Sequence, residues 1–457
     1  PNMETLQRTA NRGSISTGAY EIDNSCKFEA DNTEYLERDP SSAGDRQKFT
    51  ISMWVKRTEI GQASSIFSVY PASGPDDNNT LQFGFMSDDR FQLGLQTYYS
   101  LQSTRVFRDT SAWYHIVLAV DTTQSTSTNR FKVYVNGVLE RNWDTEAQPA
   151  QNHTTGVNNT EPHRIGTLIS NSWYFSGYMA EINHIDGSQL APTEFGEFDE
   201  DTGIWKPKAY TGSYGTNGFY LDFVDGADLG DDESGNGNDF TENNIAAADQ
   251  ATDSPTNNFA TMNVIWGTDR MPLMSQGATE IGNNVSAYRY SPATMGVAKG
   301  KWYWEIKPTV NGNTLVSGAG IASNQTTLFF YDETGNFVYH YDGDRYVNGA
   351  GVSSYGAAWS TNDIIGFAYD ADNWTLTCYV NNSSQGNLLA GQTDISSELF
   401  IPYIYSFGTH TYQTNFGGYT TMSNTHTNTD ENGYGSFVYA PPSGYYALCT
   451  KNLAEYG

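Results

Sequence analysis

The chain has 457 residues, more than one hydrophobic core usually supports, so its length favours two or three domains. Charged residues are 17% and aromatics 14%, a composition that excludes wholesale disorder. With 24 Lys and Arg against 52 Asp and Glu, the net charge is −28, which excludes a non-specific nucleic-acid binder and opposes docking on anionic membranes.

Residues 1–13 read as an N-terminal arm, and residues 3–12 are the best helix candidate, too short to be stable alone. The opening residues lack the apolar stretch of an export signal, and no window reaches the roughly 18 apolar residues of a spanning helix. Pro1 as first residue predicts a removed initiator Met and synthesis in a cytosol. Cys26, Cys378 and Cys449 are too far apart for a Cys-x-x-Cys pair, and their odd number excludes a disulfide scaffold.

From residue 14 onward, short alternating β-branched and aromatic runs recur between Gly, Asn and Asp clusters, which predicts stacked antiparallel sheets with little helix. Runs at 49–55, 81–85, 91–96 and 113–121 are such strands. Another at 131–135 is closed by Asn136-Gly137, the strongest short hairpin signal, with 138–141 as its return. Between 201 and 265 strands thin out and acids crowd together, yet Trp205, Tyr210, Tyr214, Phe219, Tyr220 and Phe223 require burial. This predicts a connector packed on the sheets. Strands resume at 301–307, 364–370, 375–380 and 412–416, forming a second β domain over 266–432. An extended tail over 433–457 follows.

Candidate chemistry divides into three groups. Calcium takes oxygens from carboxylates, amides and carbonyls, often on one loop. Asp76, Asp77 and Asn78, then Asp88 and Asp89, then Asp231, Asp232, Asn236 and Asp239 offer them in turn-forming stretches that also read as ordinary solvated turns. Carbohydrate recognition needs aromatic faces beside amide or carboxylate acceptors on loops. Tyr98 and Tyr99, Trp143 with Asp144, and Asn171, Trp173 and Tyr174 fit that description, or else belong to a core or an interface. Trp54, Trp113, Trp302 and Trp304 lie on alternating strands and are assigned mainly to packing, as His115 is to a structural role. Third, Glu21-Ile-Asp23-Asn-Ser-Cys26 begins the Glu-x-Asp-x-x-Glu pattern of glucanases. Cys26 takes the place of the proton-donating acid, so glycoside hydrolysis is not expected.

Ser25-Cys-Lys-Phe-Glu-Ala-Asp-Asn-Thr-Glu-Tyr-Leu36, the strands at 49–55 and 113–121, Val133-Tyr-Val-Asn-Gly137 and Phe175-Ser-Gly-Tyr-Met-Ala-Glu-Ile182 resemble, in that order, a laminin-G or concanavalin-like jelly roll over residues 14–200. Gly300-Lys-Trp-Tyr-Trp-Glu-Ile306, Ser317-Gly-Ala-Gly-Ile321 and Ile365-Gly-Phe-Ala-Tyr-Asp370, with later strands, resemble a SPRY β-sandwich. Leu229-Gly-Asp-Asp-Glu-Ser-Gly-Asn-Gly-Asn-Asp-Phe240, the stretch at 253–261 and the ending at 439–449 resemble a family of marine bacteriophage structural proteins joining these two modules. The resemblance implies a non-enzymatic virion component made in the host cytoplasm: a fibre, an appendage or a surface protein displaying glycan- or protein-binding loops for host attachment. It also implies contact with other virion proteins and a homo-oligomer. The alternative is a head or tail decoration protein with no host ligand.

Overall fold

The computed structural model describes residues 20–457 apart from 98, 169–171, 266–271, 312–315, 324–333, 348, 350–351 and 394–397. The arm and its helix candidate at 3–12 lie outside the described residues. The fold is all-β, with one α-helix among the described residues. It divides into two compact units between Thr256 and Asn257.

In the first unit, two antiparallel sheets face each other. One orders the strands Val138–Leu139, Phe131–Val135, Tyr114–Asp121, Lys48–Arg57, Gly177–Asp186, Ser25–Phe28 and Gln250–Ala251. The other orders Trp143–Glu146, Tyr99–Val106, Arg90–Gly94, Leu81–Phe85, Ser64–Val69, His163–Ile165, Tyr35–Arg38 and Thr241–Asn243. Alternation fills the space between them: Phe49, Ile51, Met53 and Val55 from one sheet meet Phe83, Phe85, Phe91 and Leu93 from the other. The hairpin at Asn136-Gly137 is present, with φ of 48° and 76°, the left-handed pair that a type I′ turn requires.

Residues 201–256 are part of this unit. Phe219–Leu221 pairs with Gly177–Asp186, Thr241–Asn243 with Tyr35–Arg38, and Gln250–Ala251 with Ser25–Phe28. The Trp205 ring stacks on His115 with centroids 5.8 Å apart, and its Nε1–H donates to His115 Nδ1 at 2.9 Å. His115 Nε2 completes its bonding with Ser52 Oγ at 2.8 Å. Burial holds His115 neutral, pushing its pKa down to about 3. Gly137 lies directly under the Trp205 ring. Gly137→Ala adds a methyl group there and strains a positive φ, so we expect a loss of about 1–3 kcal/mol, measurable as a lower melting temperature.

The second unit is also a two-sheet sandwich. Its first sheet orders Leu273–Ser275, Glu280–Asn283, His410–Asn415, Lys301–Asn311, Ile365–Asp370, Thr375–Val380 and Ser383–Asn387, with Tyr446–Ala447 added in parallel to Lys301–Asn311. Its second orders Tyr288–Pro292, Phe400–Phe407, Val316–Ser323, Asn336–His340, Asp344–Val347 and Val352–Ser354. Trp302, Trp304, Phe337, Phe367 and Phe400 lie in the core between them.

The tail differs from the extended segment expected, because it closes in the helix Thr450–Tyr456. Seven residues without a side-chain N-cap would not form a helix alone. Here Leu453 is buried in the core, while Thr450 and Asn258 exchange bonds: the Thr450 N–H donates to the Asn258 carbonyl at 2.9 Å, and the Asn258 N–H to Thr450 Oγ1 at 3.0 Å. All three cysteines are buried and unpaired.

Candidate functional site

After the Asn136-Gly137 hairpin the chain crosses from the edge of one sheet to the edge of the other, so residues 128–148 border the gap between the sheets. A hollow of about 190 Å³ opens there, lined among others by Thr128, Phe131, Glu140, Trp143, Glu146 and Gln148. Its shape depends on an irregularity in the ladder: Trp143 pairs with Ser103, Thr145 with Gln102 and Glu146 with Leu101. In a regular strand, residues three apart face opposite ways. The extra residue instead sets Trp143 and Glu146 opposite Ser103 and Leu101, two positions of one face of the neighbouring strand. Leu101 belongs to the core, and the half-buried Trp143 ring packs against that core.

Other groups fix the rim. Gln148 clamps the strand edge: its Oε1 accepts the Phe131 N–H at 3.1 Å, and its Nε2 donates to the Phe131 carbonyl at 3.3 Å. Glu140 accepts the N–H groups of Arg141 and Asn142 at 3.0 and 2.9 Å. An indole face beside carboxylates and an amide suits a pyranose, whose C–H face stacks while its hydroxyls donate.

The expected carbohydrate-binding residues do not converge on this hollow. Asp144, next to Trp143, pairs with Arg90 at 2.7 Å, and Arg90 also holds Asp88 at 2.7 Å. Trp173 takes a positive φ of 58° ahead of the Gly177–Asp186 strand, and the Tyr174 ring meets Tyr35 with centroids 6.2 Å apart. Tyr35 lies six strand spacings from Trp143 in the same sheet, about 29 Å at the usual inter-strand distance. Tyr99 begins the Tyr99–Val106 strand, opposite Gly94. Tyr98 and Asn171 lie outside the described residues.

The calcium candidates are engaged by donors from the protein itself. Asp76 accepts the N–H groups of Asn78 and Asn79 at 2.8 and 3.0 Å. Asp77 accepts the N–H and hydroxyl of Thr97 at 2.8 and 2.6 Å. The Asn78 carbonyl takes the Arg46 guanidinium. Asp89 is buried and receives Arg57, Arg108 and the Gly61 N–H at 2.8–3.0 Å. Burial opposes its charge, but these donors win and hold its carboxyl below the usual range.

In the 231–239 loop, Asp232 accepts the N–H groups of Tyr220, Ser234 and Asn238 and the Ser234 hydroxyl at 2.8–2.9 Å. Its own N–H donates to Asp239 at 3.1 Å. Asn236 donates to the carbonyls of Gly215 and Gly218 at 2.8 and 2.9 Å, while Asp231 is half-buried on the same loop. Among the described residues, no three His, Cys, Asp or Glu side chains converge as metal ligands.

Three features had no signal in the sequence. A polar hollow of about 410 Å³ is lined by Glu37, Arg38, Asp39, Ser41, Asn238 and Asp239, among others. Arg38 donates there to Asn238 Oδ1. Secondly, Glu181 sits at a bulge in Gly177–Asp186 with a φ of 50°. Its buried carboxylate accepts the Tyr20 and Tyr220 hydroxyls at 2.8 and 2.5 Å, and burial raises its pKa to about 7. Thirdly, Lys27 and Lys56 are buried against acids from residues 249–253. As for the partial glucanase pattern, Glu21 and Asp23 are exposed and Cys26 is buried in the core.

Residues 30–189 match the family model of the Concanavalin A-like lectin/glucanases superfamily. No curated protein matches the chain. Among solved structures, the SPRY domain of human HERC1 is similar at 14% identity over 30% of this chain and 89% of that one, with a TM-score of 0.27. A human SPRY domain is similar at 12% identity over 30% of this chain and 90% of that one, with a TM-score of 0.25. Stonustoxin matches at 15% identity over 34% of this chain and 27% of its own, with a TM-score of 0.27.

Proposed function

We propose that this lectin-like protein is a non-enzymatic structural component of a bacteriophage particle, displayed on the virion surface, and that it attaches the particle to a bacterial surface glycan through the Trp143 hollow. The observation that carries this reading is the bulge that turns Trp143 and Glu146 into one opening between the sheet edges. The residues that resemble marine phage structural proteins, at 229–240, 253–261 and 439–449, support the virion setting. Attachment by many weak sites is effective when copies are linked, so the reading includes a homo-oligomer seated on other virion proteins. Neither nucleic acid nor membrane insertion has a part in it.

The purified full chain tests this on an array of bacterial surface polysaccharides. Binding is expected, and Trp143→Ala should weaken it at least tenfold, because an aromatic platform at a contact centre commonly contributes more than about 1.4 kcal/mol. Asp144→Asn, on the residue engaged by Arg90, should leave affinity unchanged. Bound polysaccharide should show no release of reducing ends. A chain that ignores every polysaccharide yet binds particles lacking it would instead be a decoration protein.

A further inference from the structure

Lys27 lies on the first strand of the first unit, Ser25–Phe28, with its side chain 1% exposed. Its Nζ is 2.8 and 2.9 Å from the two Glu34 carboxylate oxygens and 2.7 Å from Asp249 Oδ1. Glu34 is 2% exposed and Asp249 10%. One buried cation between two buried carboxylates leaves a negative charge uncompensated, and a low-dielectric site favours a state with a proton on one carboxyl. When that proton comes from the Lys27 ammonium across its 2.7 Å contact with Asp249, a neutral amine faces a neutral carboxylic acid and the Glu34 carboxylate is left beside them as proton acceptor.

The surroundings complete a reaction site. Asp249 Oδ2, the oxygen away from Lys27, accepts the Ala246 N–H at 2.9 Å. Asn32 Nδ2 donates to Glu34 Oε1 at 2.8 Å and fixes that carboxylate. Nucleophile, electrophile, proton carrier and a donor for a developing oxyanion are thus in contact in a site largely closed to water.

We propose that Lys27 and Asp249 condense into an intramolecular amide bond, with Glu34 as the catalytic proton carrier. The Nζ lone pair attacks Cγ of the protonated Asp249 carboxyl, and Glu34 takes a proton from Nζ. Negative charge develops on Oδ2 against the Ala246 N–H. Glu34 then returns its proton to Oδ1, the Cγ–Oδ1 bond breaks, and water leaves. The products are an amide, one water and the Glu34 carboxylate; no oxidant or external reactant is needed. Asp249 immediately precedes the Gln250–Ala251 strand, whose Gln250 pairs with Cys26, so the bond ties the first strand of the unit to the turn that leads into its last. This inference goes beyond the proposed function and does not depend on it.

Intact-mass spectrometry of the denatured full chain, after incubation at neutral pH, tests it. The wild-type chain is expected to be lighter than its sequence by one water, and digestion should yield a branched peptide joining Lys27 to Asp249. Lys27→Arg and Glu34→Gln should appear at full mass. Asp249→Asn should lose one ammonia instead, giving the same branched peptide. The wild-type reading requires no variant to fold. A wild-type chain at full mass would overturn the proposal, as would a water loss that maps elsewhere, for example to the neighbouring Lys56–Asp253 pair.

Discussion

Acidification from about pH 6.5 to about pH 5 is expected to remove roughly 3 kcal/mol of stability from the first unit. His115, His163 and His184 are buried there as neutral imidazoles. Burial lowers His115 and His163 to about 3, and His184 falls well below its ordinary 6.5. Each is fixed in one tautomer or left without a second partner. His163 Nε2 accepts the Asn158 N–H at 3.0 Å, His184 Nε2 meets Asn158 Oδ1 at 2.7 Å, and His184 Nδ1 has no hydrogen-bond partner.

Below pH 6.5 the unfolded chain binds three protons that the folded unit refuses, so stability falls by about 4 kcal/mol per pH unit. Glu181 acts the other way. Its folded pKa of about 7 lies above the ordinary 4.5, so its contribution is complete below the unfolded value and lost as pH rises; acidification restores about 1.4 kcal/mol per unit. The net slope is about 3 kcal/mol per unit, large against the 5–15 kcal/mol typical of a domain. Hydrogen-exchange protection of residues 48–57 and 177–186, corrected for intrinsic rate, measures it. A protection free energy that stays flat over this range would sink the argument.

Glu305→Ala should be the most damaging single change in the second unit. Glu305 is fully buried on Lys301–Asn311, and it gathers a region distant in sequence. Oε1 accepts the Tyr303 hydroxyl at 3.1 Å and the Tyr439 N–H at 2.8 Å. Oε2 accepts Asn415 Nδ2 at 3.1 Å and the Val438 N–H at 2.9 Å. Burial raises its pKa to about 7 against these donors. Alanine leaves two backbone N–H groups and two side-chain donors facing a cavity, a cost of about 3–5 kcal/mol. Residues 437–445 should then be cut by protease long before the sheets unfold. Equal cleavage rates in wild type and variant would show that the tail is held by other contacts.

The sheets were legible because a period of two is local information. The strands at 81–85, 131–135 and 375–380 can be read residue by residue, and Asn136-Gly137 announces its own turn. Residues 201–256 were less legible. They show as an acidic run, while Asp249 and Asp253 are the partners of Lys27 and Lys56 nearly two hundred or more residues earlier. No local pattern encodes a pairing of that kind. The site was readable in the same partial way: Trp143 stands out as an aromatic beside a hairpin, but adjacency in sequence suggested Asp144 as its companion. In a strand, neighbours face opposite ways, and one inserted residue makes Glu146 the side chain that shares the Trp143 face.

The adjacency of Ser25–Phe28 and Gln250–Ala251 also governs how this unit bears mechanical load. Ser25 pairs with Ala251 and Cys26 with Gln250, so the chain enters and leaves the unit at the same end of an antiparallel ladder. Tension along the chain therefore opens that ladder like a zipper, one rung at a time, rather than shearing all rungs together. A ladder of so few rungs offers little resistance by itself. The pull passes at once to Lys27–Asp249 and Lys56–Asp253, which makes these two buried pairs the latch that holds the unit closed under tension.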